Sequence, residues 1–149
     1  MGEGDWLPVD RTPDRSEPPD PMSVKAQVHS KFKLFTGTLG PGGSLGKLAT
    51  DVEAFAASAK AAPKSIGVEY LEHTKQVIVS LGYRDDEAPY AIKLHGVSLG
   101  HVAKLGAPEM SSLEKKMGEA ADKVQHIICH ELLVTSDDEF IMVFMTHAG

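Results

Sequence analysis

The sequence predicts an α+β fold made of two successive β-α-β-β units. About six antiparallel strands form one or two sheets, both helices pack on one face, and a pseudo-two-fold relates the halves. Three observations lead there. Apolar residues alternate with polar ones in several segments, which is the period of a half-buried strand. Two other segments carry apolar residues at helical spacing. And "FKLFTGTLG" at residues 32–40 returns as "IKLHGVSLG" at 92–100. Lys33, Leu34, Leu39 and Gly40 recur as Lys93, Leu94, Leu99 and Gly100, while Thr38 becomes Ser98. The match is short. It gains weight because it falls at the end of the first strand in two segments of equal element order, and we read it as a duplication.

The first strand is expected from Val24 to Leu34. Val24, Ala26, Val28, Phe32 and Leu34 face one way, toward a core; Lys25, Gln27, His29, Lys31 and Lys33 face the other. Glycine-rich "TGTLGPGG" ends it. A helix is expected over 44–61, with Leu45, Leu48, Val52 and Phe55 on one face, Ser44 as its cap and Pro63 as its stop. A hairpin follows: Ile66, Val68 and Tyr70 alternate, "EHTK" turns, and Val77, Val79, Leu81 and Tyr83 alternate again.

The second unit repeats that order. Tyr90, Ile92 and Leu94 alternate with Ala91, Lys93 and His95, and a loop covers about 100–109. A second helix is expected over 111–124, with Leu113, Met117, Ala120, Ala121 and Val124 on one face and Ser111 and Glu114 at capping-box spacing. A second hairpin turns at Ser136-Asp137-Asp138. Its last strand, "FIMVFMTH", does not alternate, since Phe140, Met142 and Phe144 point one way and Ile141, Val143 and Met145 the other. Such a strand needs cover on both sides. If both helices share one face, the other face must meet a second sheet, a second subunit or a ligand. Ile141, Val143 and Met145 are therefore the expected interface of a homodimer, the commonest oligomer.

The whole chain sets further bounds. Its 149 residues suit one core-forming domain, here expected at 23–149, with units at about 23–85 and 88–149. Residues 1–22 read as a disordered acidic tail. The first 21 hold five of the nine prolines, six acids and two arginines, and few apolar residues beyond Trp6, Leu7 and Val9. Of the net charge of −6, that segment carries −4 and the rest only −2. Nucleic-acid binding through bulk charge is not expected, because that mode needs a basic excess. No stretch reaches the roughly 18 consecutive apolar residues of a membrane span. The chain opens without the basic region and apolar run of a signal peptide, and its single cysteine, Cys129, suits a reducing compartment. A cytoplasmic location is expected.

Candidate chemistry is sparse. "HIICHE" offers His126, Cys129 and His130, but strand alternation sets Cys129 on the opposite face from the two histidines. Neither a metal site nor a Cys-His pair follows, and Cys129 reads as a small buried apolar residue. "GPGGSLGK" resembles a phosphate loop until its spacing is counted: Pro41 stands where the first glycine belongs and Leu48 where the hydroxyl belongs. The acid clusters at 85–87 and 137–139 fall in turns and are not expected to be catalytic.

The expected function is a non-enzymatic binding or assembly module that holds an anionic small molecule or a partner protein. In that reading Gly40, Gly42 and Gly43 supply backbone amides, and Lys31, Lys33, Lys93 and His95 supply a basic stripe, provided the two first strands lie side by side. No cofactor is expected. The alternative is a small enzyme with His95 or His130 as general base.

Overall fold

The computed structural model describes residues 30–148. The tail expectation for 1–22 and the strand start at Val24 lie outside the described residues. The described chain runs β1 (Lys31–Gly37), a 3-10 turn (Pro41–Gly43), α1 (Lys47–Ser58), β2 (Ala62–Leu71), β3 (Gln76–Arg84), β4 (Ile92–His101), α2 (Ala107–Ala121), β5 (Ile127–Val134) and β6 (Glu139–His147). The strands form two three-stranded antiparallel sheets, in the orders β1-β3-β2 and β4-β6-β5. The β-α-β-β order of elements is as expected; a single six-stranded sheet is not what forms.

The first helix begins and ends by other means than expected. Ser44 closes the 3-10 turn and does not cap α1; Gly46, at φ 54°, precedes it. The far end closes at Lys60, which takes φ 51°, while the Ala61 amide donates back to the Ala56 carbonyl. Pro63 then lies inside β2, so it follows the stop rather than making it. The second helix starts earlier than expected, at Ala107. The Gly106 amide donates to Glu109 Oε1 at 2.9 Å, which takes the place of the Ser111–Glu114 box.

Both central strands sit in the core, but with different numbers of covers. On β3, Val77, Val79 and Leu81 are fully buried toward α1, joining Leu48, Val52 and Ala56. Ile78 and Ser80 face the other way and are half-buried. On β6, Ile141, Val143 and Met145 enter that same cluster together with Ile92 and Leu94 of β4. Phe140, Met142 and Phe144 form a second cluster with Leu99 and Leu113, and Met117 and Ala120 of α2 pack on it. Thus α1 and α2 lie on opposite faces of the β4-β6-β5 sheet, not on one face.

This arrangement corrects the interface expectation. Ile141, Val143 and Met145 are each 0% exposed, covered by the chain's own first helix and first sheet. The second cover that β6 demands comes from within the chain, and the case for a dimer through these residues falls.

The orientation of β1 is also the reverse of the expected one. Phe32 and Leu34 are 67% and 62% exposed. Phe35 faces inward and meets Phe55 edge-on at 5.7 Å. The register with β3 decides this. It sets Phe35 opposite buried Val79 and Lys33 opposite buried Leu81, and opposite residues in a ladder share a face. Gly37 completes the inward face: a Cβ there would stand 3.0 Å from the Cβ of Leu48, so the helix approaches as closely as glycine permits.

The 3-10 turn and the helix after it both meet the second sheet. Gly43 is wedged against β4, where a Cβ on it would fall 2.7 Å from the Ser98 amide nitrogen. Farther along, the Glu53 carboxylate accepts the amide of Leu94 at 2.8 Å. β4 is an edge strand, and the helix supplies the acceptor that no neighbouring strand offers.

Candidate functional site

The sequence-predicted residues divide. Lys31 is exposed and paired with Asp85 at 2.7 Å. Lys33 lies over the Phe55 ring, its Nζ 5.7 Å from the centroid. Gly40 is half-buried beside Ser44, Gly42 is exposed at φ 67°, and Gly43 is buried as a packing joint. These residues sit on β1 and the turn after it. Lys93 and His95 sit on β4, in the other sheet. The two groups therefore lie on different sheets and do not share one sheet's face.

His95 does stand in a cleft. Between the outer face of β4 and β6 and the second half of α2 lies a groove of about 330 Å³, near the lower end of small-ligand pockets. Val97, Leu99 and Phe144 give it an apolar floor, and Ala120 and Val124 an apolar wall. Lys116 and Glu119 of α2 and Lys123 of the turn after it line the mouth. Helical spacing explains 116, 119 and 120, which fall on one face, and the turn that ends α2 brings 123 to the same side. The β4–β6 register explains the floor, since it sets His95 opposite Phe144 and Val97 opposite Met142 on the face toward α2.

The polar groups of the cleft are partly committed. The His95 ring stacks on Phe144 at 5.0 Å and 18°, and its Nε2 lies 3.1 Å from Thr146 Oγ1. Burial pushes its pKa below the usual histidine value, with the Lys93 charge adding to that and Glu53 opposing it. Burial thus favours the neutral form of the imidazole. Lys116 Nζ donates to the Leu99 carbonyl at 3.0 Å, leaving two of its three protons. Lys123 is exposed. An apolar body lodged against Phe144 would thus have two ammonium groups and one carboxylate at its mouth, a net positive rim.

Cys129 is half-buried against the core, and burial pushes its thiol pKa up. His130 pairs in register with Phe144, Cys129 with Met145, so the two side chains point to opposite faces. His95 and His130 flank Phe144 from the strands on either side, about two strand spacings, or ~10 Å, apart. They do not converge.

The α2 contribution was missed by the sequence reading. Lys116 and Glu119 are polar positions of an amphipathic helix and Lys123 follows its end, and nothing in their spacing separates a cleft rim from a solvated face. The available signal was the apolar row Leu113, Met117, Ala120, Val124, which fixes the side of the helix that meets a sheet.

Comparison of the sequence with models of known families gave no match, and comparisons with curated proteins and with solved structures gave none either.

Proposed function

We propose that this chain is a non-enzymatic binding module that holds a small anionic molecule with an apolar body in the cleft between α2 and the β4-β6 face. The observation that carries this reading is the pairing of an apolar floor (Val97, Leu99, Phe144) with a cationic mouth (Lys116, Lys123) in one groove. The floor takes the apolar body by removing it from water. The lysines favour the anionic end and set its orientation. His95 offers a neutral ring nitrogen rather than a charge. Of the residues named from the sequence, His95 alone keeps a ligand role in this cleft; the glycine turn does not.

In the same reading the two β-α-β-β segments are copies, which the equal strand orders β1-β3-β2 and β4-β6-β5 support. The chain works in a reducing compartment, which the lone half-buried Cys129 suits. No helix among the described residues is long and apolar enough to cross a membrane.

The test uses 8-anilino-1-naphthalenesulfonate, a fluorescent sulfonate with an aromatic body. The native protein should bind it saturably at one site. The double variant Lys116→Gln/Lys123→Gln should weaken binding by about fivefold, as expected of two screened ion pairs worth ~0.5 kcal/mol each. Ala120→Trp, which fills the groove, should abolish the signal. Binding that is untouched by both variants would show that the probe sits elsewhere and would sink the proposal.

A further inference from the structure

A second constellation lies at the end of β4, apart from the groove floor. β4 carries a bulge between Ser98 and Gly100, with Gly100 at φ 100°. Beyond it, His101 pairs in register with Glu139, the first residue of β6. The β5–β6 turn brings Asp137 to the same spot. One ligand atom from each of His101, Asp137 and Glu139 lies within 4.8 Å of the other two.

The surroundings orient these groups. The Thr135 hydroxyl donates to Asp137 Oδ1, and its oxygen accepts the Glu139 amide at 3.2 Å. The Ser98 hydroxyl donates to Glu139 Oε2 at 2.6 Å, and its oxygen accepts the Gly100 amide at 3.2 Å. Each hydroxyl therefore has its proton committed to one oxygen of a carboxylate, and the second Asp137 oxygen, Oδ2, meets His101 Nε2. Hydroxyl and carboxylate partners of this kind are what hold metal ligands in place. The charges also call for a cation, since the Asp137 and Glu139 carboxylates share the spot.

We infer that His101, Asp137 and Glu139 form a binding site for a divalent transition cation of the zinc type. His101 Nε2 and Asp137 Oδ2 are 3.3 Å apart. Two ligands at ~2.1 Å from one ion and 3.3 Å from each other subtend roughly 104° at the metal, close to tetrahedral. Three protein ligands leave the fourth position to water. The imidazole nitrogen argues against Ca²⁺ and Mg²⁺, which take oxygen ligands, and the absence of thiolate from the triad argues against a purely soft ion. The sequence reading placed Asp137 in a turn and proposed no metal, because His101 is 36 residues away and only the β4–β6 register brings it across.

The test is calorimetric titration of the full chain with ZnCl₂ at pH 7.5, followed by Co²⁺ absorption for geometry. One equivalent of Zn²⁺ should bind, and Co²⁺ should give the intense visible bands of a four-coordinate site. His101→Ala and Asp137→Asn, both changes at exposed positions, should each weaken Zn²⁺ binding at least tenfold while leaving the circular dichroism unchanged. Ser98→Ala should weaken it by about tenfold through Glu139. His126→Ala and Cys129→Ser should have no effect. The inference is overturned by no saturable Zn²⁺ binding, by binding that survives His101→Ala but not His126→Ala or Cys129→Ser, or by Ca²⁺ binding more tightly than Zn²⁺.

Discussion

The two sheets share a strand order and differ in how many faces they bury. The β1-β3-β2 sheet is covered on one side, by α1. The β4-β6-β5 sheet has α1 on one side and α2 on the other. The contrast is sharpest at matched positions of the repeated segment. Phe32 and Leu34 are 67% and 62% exposed; Ile92 and Leu94 are 4% and 5% exposed. Similar residues at similar places thus have opposite environments. The central strands record the difference. β3 alternates Val77, Val79 and Leu81 with Ile78, Ser80 and Gly82, and β6 is apolar at every position from Phe140 to Met145. What this teaches is that apolar patterning on a central strand counts its covers, whereas apolar residues on an edge strand do not say which way they face.

The comparison can be broken most directly at its own matched leucines. Leu94→Ala should cost about 2–5 kcal/mol, because it leaves a cavity between α1 and β4. Leu34→Ala should change stability by no more than about 0.5 kcal/mol. Urea unfolding of the two variants, monitored by circular dichroism, decides it; equal costs would mean that the outer face of β1 is covered in solution.

A smaller effect tests the contact that sets α1 on the second sheet. Glu53→Ala removes the acceptor of the Leu94 amide, and a buried unpaired donor costs about 1–3 kcal/mol. The same unfolding assay reads it. Hydrogen exchange at Leu94 should rise in this variant, and an unchanged rate would show that the carboxylate is not the partner that matters.

The smallest effect is a pH dependence confined to the second unit, where His95 stands at the place of Phe35. Burial lowers the folded-state pKa of His95 below its unfolded value. The unfolded chain therefore takes up the proton first. The contribution to stability is whole above the ordinary histidine pKa of ~6.5 and declines as pH falls below it. Wild-type stability should drop between pH 7.5 and 5.5 more steeply than that of His95→Phe. Parallel slopes would show that other groups carry the dependence.

Much of the fold was legible because it is local. The helix faces at Leu48, Val52 and Leu113, the hairpin turns and the demand of β6 for two covers all follow from spacing in one segment. The errors were errors of partner. Phe32 and Leu34 read as a core face because alternation gives two faces and no sign; the sign came from pairing with β3, about fifty residues on. Ile141, Val143 and Met145 read as a dimer interface because both helices were assigned to one face. The candidate cleft was half legible, through His95, and its α2 rim was not, since a lysine on an amphipathic helix looks the same beside a groove or in open water.

By itself the sequence determined the periods: which residues alternate, which recur at helical spacing, and how many faces each central strand must bury. These are set by backbone geometry and by the cost of leaving apolar surface in water, both of which act within a few residues. Tertiary structure decided what met those faces. It put α1 between the sheets and α2 outside them, carried His101 across to Glu139, and set Lys116 and Lys123 along the groove floored by Phe144. Each of those pairings joins residues far apart in the chain. Local periodicity contains no term for such distances, so register and packing alone settle them.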